Sequence, residues 1–405
     1  MLNRLVSMRI QGFRCVEDLT LKLDGLQFLI GENGSGKSTI IEAFEILRLL
    51  VQPGQFVREF GARHGDMREL VRAPDRPLVL TAFVQTDEAW IEYLVELRAD
   101  PRSNLAALAS ERVTRYIDPE RQHKAWDALT RAGRTGQWRA QNDGTKPQQS
   151  IDLGVEQSAL QTMAGLGPPE IGAVQRTLDS LEVFPPIDVG PLWAQRHDLG
   201  VIRTARTPSQ VAPARQLSRD GTNLASAFLE LMGSGPETVN RVLHDVRAGL
   251  GLDVTHVAAV PSSMGALQLK VRFGIQDVPA SQLSQGQLSY LALVAVKHLN
   301  SASAAVVFDE PELHLHPGLL VRAAWLLADI AKNRPVIVGT HADAFLDALD
   351  EPEKLVRVLT LGAHRQTLMS RIDGEQLSKW RTNYSTISDL RRGGLLEEVL
   401  EAAAP

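Results

Sequence analysis

The sequence holds one cysteine, Cys15, among 405 residues. A single thiol excludes an intramolecular disulfide and a cysteine-rich zinc site, and it fits a reducing compartment. Within "GFRCVEDL" it reads as a small packing residue. Long apolar runs are missing as well. No stretch approaches the ~20 residues of a membrane span, and "MLNRLVSMRIQGF" lacks the apolar centre of a signal peptide. The expectation is a cytoplasmic chain without a membrane partner. An excess of positive charge is absent: the net charge is −5, so no global basic field advertises nucleic acid, although a local patch stays open. No internal repeat is evident, and prolines interrupt every candidate heptad seam, which excludes a long coiled coil. What remains, 44% apolar and 22% charged residues, is a globular composition. The length allows two or three domains, or one large domain with an insertion.

Apolar periodicity orders the chain. "LVSMRIQGF" (5–13) alternates as a strand, and "LTLKLDGLQFLIG" (19–31) gives a further pair that ends in a glycine-rich loop. "STIIEAFEILRLLV" (38–51) has helical spacing. From 78 to about 146, short strands and an Asn142-Asp143-Gly144 turn predict an antiparallel sheet. Residues 146–215, rich in Pro, Gly and Gln, predict short helices and loops. "NLASAFLELM" and "ETVNRVLHDVRAGL" read as amphipathic helices, followed by a hairpin. "AAVVFDE" and "PVIVGTH" are continuous apolar runs separated by a helix (about 318–333), and "LVRVLTL" and "RQTLMSRI" are further strands. The last residues, "EEVLEAAAP", suggest a frayed helix. Apolar strands that alternate with helices predict a sheet buried on both faces.

"GENGSGKST" (31–39) fits the phosphate-loop pattern, between an apolar strand and a helix. Gly31, Gly34 and Gly36 let successive N–H groups turn toward phosphate oxygens, and the following helix adds its positive end. Asn33, Gly34, Ser35, Gly36, Lys37, Ser38 and Thr39 are therefore the expected nucleotide contacts. Lys37 reaches the β- and γ-phosphates, and Ser38 can ligate Mg2+. "VVFDEPE" (306–312) places acids at the carboxyl end of a buried strand, where parallel sheets face their ligands. Asp309 is expected on Mg2+, and Glu310 is the candidate to orient or deprotonate the attacking water. Glu312 is either a third member of the site or a brace for the turn. His341 ends a similar strand, where a neutral imidazole can bond the γ-phosphate and register its loss.

Together these elements resemble an ABC-type ATPase head of the RecF/SMC branch. "LSQGQ" (283–287) matches the signature motif of that superfamily. "FDEPELHLHP" (308–317), "GTHADAFLDAL" (339–349), "GFRCVEDLTLKL", "LSRDGTNLASAFLEL" (217–231) and "YSTISDLRRGGLLEEVL" (384–400) resemble short RecF-like ATPases. These are related to the ATPase part of overcoming-lysogenization-defect proteins. The resemblance implies an α/β P-loop NTPase with a mainly parallel core sheet, an antiparallel β lobe and a mixed helical insertion. Residues 1–100 and 271–405 would form the head, and 101–270 the insertion. It also implies a homodimer that sandwiches two ATP molecules. Ser284, Gly286 and Gln287 would then contact nucleotide held by the partner's phosphate loop, a role suited to a hydroxyl and free N–H groups at a helix start.

Other assignments come from the resemblance alone. Gln85, at the end of "LVLTAFVQ", is the candidate Q-loop glutamine, sensing Mg2+ and the attacking water; a strand simply ending in glutamine is the alternative. His314 and His316 fall in the D-loop, as interface or packing residues or as a metal pair. Arg14 either lies near nucleotide or is a surface arginine. Relatives commonly read Thr-His-Ser-Pro where this chain has "THADAF", so the loop after His341 is expected to turn differently. No second acidic cluster follows His341, so a Toprim nuclease is expected only as a separate chain. The absence of a Cys-x-x-Cys argues against a zinc hook.

The function these features predict is an ATP-hydrolysing switch that controls a nuclease or toxin partner in bacterial antiviral defence, or that serves DNA maintenance. The alternative is a DNA-binding repair ATPase whose Arg203, Arg206, Arg215 and Arg219 face phosphates; the competing view is a solvated loop with arginines paired to acids. A transporter subunit fits the acidic motif poorly, and Glu310 argues against a non-hydrolysing scaffold.

Overall fold

A computed structural model describes residues 3–54, 56–118, 120, 123–139, 149–154, 156–163, 165–190, 203–262, 265–299, 302–380 and 386–401. The turn expected at Asn142-Asp143-Gly144 lies outside them. Arg4–Phe13 (β1) and Val16–Lys22 (β2) form a hairpin that turns Met8, Ile10, Leu19 and Leu21 inward. Leu26–Gly31 (β3) is apolar almost throughout because both its faces are covered. Phe28 and Ile30 enter one core cluster and Leu29 enters the other. Lys37–Leu49 (α1) follows, then Phe56–His64 (α2) and Met67–Leu70 (α3).

A run of antiparallel strands comes next: Leu78–Gln85 (β4), Trp90–Ala99 (β5), Ala106–Tyr116 (β6), Lys124–Ala132 (β7), Thr135–Trp138 (β8) and Gln149–Asp152 (β9). With the first hairpin they make an eight-stranded sheet in the order β2-β1-β4-β5-β6-β7-β8-β9. Residue 100, the boundary expected for the insertion, falls between β5 and β6, which pair directly. The β lobe therefore runs through it. Ala159–Thr162 (α4) and Pro169–Asp179 (α5) follow, with α5 packed against both α1 and this sheet. Glu182–Phe184 (β10) then joins the central sheet, although the sequence predicted only helices and loops there.

Ser209–Gln210 (β11), Leu224–Gly233 (α6), Pro236–Leu250 (α7), Val254–Pro261 (β12), Ala266–Phe273 (β13) and Gln276–Pro279 (β14) form a small sheet backed by helices. The remaining elements are Gln285–His298 (α8), Val306–Asp309 (β15), Pro317–Ala331 (α9), Val336–Gly339 (β16), Asp343–Asp347 (α10), Pro352–Leu355 (α11), Val356–Leu361 (β17), Thr367–Arg371 (β18), Gly374–Trp380 (α12) and Ile387–Arg392 (α13). A 3-10 turn, Leu396–Val399, stands where a frayed helix was expected. Among the described residues no helix is long and apolar enough to cross a membrane.

The central sheet has the order β10-β15-β16-β3-β17-β18 and is parallel except for the last pair. It divides the two core clusters, with α6, α8 and α9 on one face and α1 and the β lobe on the other. Its register positions the site. Asp309 lies opposite Gly339, and Gly339 opposite Leu29. The carboxyl ends of three adjacent strands thus carry the phosphate loop, the acids and His341 to one edge, where such sheets bind ligands.

Candidate functional site

The phosphate loop leaves β3 at Gly31 and enters α1 through Gly36, whose φ of 109° is left-handed. A Cβ at Gly36 would stand 2.5 Å from Thr367 Oγ1 and 3.2 Å from Cys15 Sγ. The loop is held from β18: the Thr367 hydroxyl donates to the Ser35 carbonyl at 2.9 Å, and its N–H to the Cys15 carbonyl at 2.8 Å. Cys15 packs beneath the loop. No side chain caps the start of α1, and Ser35 Oγ is buried without a hydrogen-bond partner. An uncapped helix start beside an orphaned hydroxyl suits an anion. Lys37 is buried, and its Nζ donates to the carbonyls of Gly31 (2.8 Å) and Glu32 (3.0 Å). Burial lowers its pKa and Arg391 adds to that, while Glu310, Asp309 and Glu312 oppose the shift.

Across the cleft, burial pushes the Asp309 carboxyl up to about 6, aided by the charge of Glu310 and opposed by a hydrogen bond from Ser38. Ser38 and Asp309 thus face one another across the cleft. A hydroxyl and a carboxylate, both oxygen donors, are what Mg2+ takes from a protein when phosphates supply the rest. Among the described residues no group of three or more His, Cys, Asp or Glu is placed to hold a metal unaided. Glu310 has a left-handed φ of 47°, rare for a residue with a side chain. Its N–H donates to the Gly339 carbonyl at 2.8 Å, and its carboxylate lies 3.7 Å from His341 Nε2. Such outliers gather at working sites. His341 has its pKa lowered, first by burial and then by Lys37, so its imidazole is neutral at neutral pH.

Glu312 accepts from the Thr340 hydroxyl (2.6 Å) and from the His341 N–H (2.8 Å). It is the brace of the histidine turn, the second of its two expected roles. After His341 the chain runs into α10, where Asp343 takes both Arg391 (3.2 Å) and Arg392 (3.1 Å) from α13. Arg391 also donates to the His341 carbonyl at 3.4 Å. Sequence reading passed over Arg391, since nothing in "DLRRGG" ties it to a motif some fifty positions earlier.

Ser284 caps α8 in a capping box: its Oγ accepts from Gln287 N–H at 3.1 Å, and Gln287 Oε1 accepts from Ser284 N–H at 2.8 Å. Gly286 is buried under the D-loop, where a Cβ would come within 2.7 Å of the His314 carbonyl. His316 accepts from Gly318 N–H and caps α9. His314, with φ 73°, and Leu313 are exposed beside it. Among the described residues no hydrogen bond or ion pair joins Ser284, Gly286 or Gln287 to the phosphate loop of the same chain.

One expectation needs correction. Gln85 pairs with Arg4 and Trp90. Arg4 in turn borders a cavity with Gly25, Ala304 and Pro335, at the amino ends of the core strands. Gln85 is therefore a strand's length from the site, and the structure does not bring it to Mg2+. The segment that does adjoin Glu310 follows β10: Pro185 and Pro186 line a cavity of about 20 Å³ with Asp309, Glu310 and Pro311. Arg14 pairs with Glu42 of α1 at 2.5 Å. Of the four arginines offered to phosphates, one pairs with an acid, as the competing view expects, and one is buried. Arg206 is buried and Arg219 pairs with Glu45 at 3.1 Å, leaving Arg203 and Arg215 exposed.

Comparison with known proteins agrees with this geometry. A family model described as an AAA ATPase domain matches residues 4–51, and one described as an AAA domain, putative AbiEii toxin, type IV toxin–antitoxin system, matches 230–347. An SMC head bound to the C-terminal winged-helix domain of ScpA superposes with a TM-score of 0.50 at 13% identity, covering 93% of this chain and 99% of that one. The fold is that of an SMC ATPase head. A second head, with an extended coiled coil and bound to the C-terminal domain of ScpA derived from Pyrococcus furiosus, gives 0.50 at 13% identity and covers 94% and 98%. No curated protein matches the sequence. In this head the phosphate loop lies within the first matched segment, and the signature, acidic and histidine motifs lie within the second.

Proposed function

We propose that the chain is an ATP-hydrolysing switch in which two heads enclose two ATP molecules and thereby control a partner protein. One observation carries this reading: Lys37, Ser38, Asp309, Glu310 and His341 meet at three adjacent strand ends, while among the described residues Ser284 makes its side-chain hydrogen bond within its own helix cap and none to that cleft. The Lys37 ammonium exchanges the Gly31 and Glu32 carbonyls for phosphate oxygens, and the first N–H groups of α1 receive the rest of the charge. Ser38 and Asp309 would hold Mg2+, which neutralises negative charge on the terminal phosphates. Glu310 accepts a proton from the attacking water. His341, neutral and 3.7 Å from Glu310, bonds the γ-phosphate and reports its departure. Ser284, Gly286 and Gln287 complete the site of the other chain.

A type IV toxin–antitoxin description on the second matching family supports a setting in bacterial defence. The ScpA-bound SMC heads support a protein partner. The test is Glu310→Gln. ATP binding should be retained, hydrolysis should fall by at least about a hundredfold, and light scattering should find an ATP-dependent dimer that no longer dissociates. Hydrolysis at the normal rate would remove Glu310 from the role of base.

A further inference from the structure

Arg206 is a buried cation with no ion pair among the described residues. Burial lowers its pKa, and the charge of Asp188 offsets part of that effect. A guanidinium placed there is costly unless its donors are well used, and all of its hydrogen bonds go to main-chain carbonyls. Nε donates to Val189 at 2.8 Å. Nη1 donates to Leu283 at 2.6 Å and to Ser281 at 3.2 Å, with Ala280 further off at 3.5 Å. The two sets of carbonyls belong to different working parts. Val189 lies just beyond β10, in the segment whose Pro185 and Pro186 border Glu310. Leu283 directly precedes Ser284, the cap of the signature helix.

We propose that Arg206 is a positioning residue that fixes the signature loop relative to the segment beside Glu310. The proposal rests on the two-head reading above: Glu310 serves the nucleotide of its own chain and Ser284 that of the partner, so Arg206 ties one composite site to the other. A planar fork of donors on a short lever suits this task, because it sets the direction of several carbonyls at once. Lysine keeps the charge but offers no rigid fork that spans Val189 and Leu283.

The test mixes defective chains. Arg206→Ala should bind a fluorescent ATP analogue within about twofold of the unaltered chain, since its own phosphate loop is intact. Alone it should lose at least about tenfold in ATP hydrolysis. Mixed with Lys37→Ala chains it should regain activity that neither has alone. Three of the four carbonyls that Arg206 holds belong to the signature loop, whereas Val189 follows a strand already paired in the central sheet. The loss therefore falls on the signature, and the pair keeps one site with a sound phosphate loop and a sound signature. A defect of folding would not be repaired this way. Ser284→Arg mixed with Lys37→Ala is the control. If the control recovers and the Arg206→Ala mixture does not, or if Arg206→Ala alone hydrolyses ATP normally, the positioning role is overturned. If the control itself fails to recover, the shared-site reading falls and takes this proposal with it. Should Arg206→Ala fail to bind nucleotide, Arg206→Lys replaces it. The lysine chain should bind, hydrolyse slowly and recover in the mixture; full activity alone would overturn the proposal.

Discussion

Asp309, Glu310 and Glu312 crowd one turn, with Lys37 facing them from the phosphate loop. Burial, and after it the charge of Glu310 and Glu312, raises the Asp309 pKa to about 6. A divalent cation needs the ionised carboxylate, so protons and Mg2+ compete for it. The sign follows: because the pKa is raised, affinity for Mg2+ is weakest below 6, climbs by about tenfold per pH unit as pH approaches 6, and levels above it. Calorimetric Mg2+ titrations of heads carrying a non-hydrolysable ATP analogue, between about pH 5 and pH 8 and set against the analogue alone, check this, and a flat profile contradicts it. Glu312 invites a different experiment. Its Oε1 holds both Thr340 and the His341 N–H, and hydrogen bonds to a charged group contribute about 1.5–3 kcal/mol. Glu312→Ala should leave ATP binding in place and lower kcat by roughly tenfold or more. An unchanged kcat would show that the histidine turn holds itself. The sequence left Glu312 between two roles because an acid three positions after a buried strand looks the same in both; only the partner of its carboxylate separates them.

Elements with a strong local pattern were legible. β3, the phosphate loop and α1 follow from apolar run, glycines and helical spacing, and the hairpins of the β lobe from alternation. β10 was not, because three residues followed by two prolines carry no periodicity. Its identity comes from pairing with β15, a partner more than a hundred positions away. Gln85 was singled out because it ends a visible strand, and that strand belongs to the β lobe and not to the central sheet. The β lobe hides a further feature. Glu111 accepts from Arg131 (2.7 Å), from Tyr93 (2.8 Å) and from the Ala159 N–H (2.8 Å), all buried. This knot joins β5, β6 and β7 to the start of α4. Removing one partner strands a buried charge, so Glu111→Ala should cost about 3–5 kcal/mol. Urea denaturation measures the loss, and a value below about 1 kcal/mol would mean that water reaches Arg131.

In a single head the catalytic cleft and the signature loop have no direct bond between them among the described residues, and Ser284 is exposed as the cap of α8. Beside it, Leu313 and His314 present an apolar and a polar group that no described partner covers. On the proposed two-head reading, a second head placed against this surface would supply a phosphate to the capped helix start and shelter to Leu313. Hydrolysis then depends on the concentration of paired heads. If pairing requires ATP, the specific rate should fall in proportion to head concentration once this drops below the dissociation constant of the pair. It should reach a plateau above that concentration. Glu310→Gln chains, held paired by ATP, should escape the dilution when followed by light scattering. A specific rate that stays constant over a hundredfold dilution, in heads that sediment as single chains, would mean that one chain completes its own site and that the signature helix is no more than a well-capped helix.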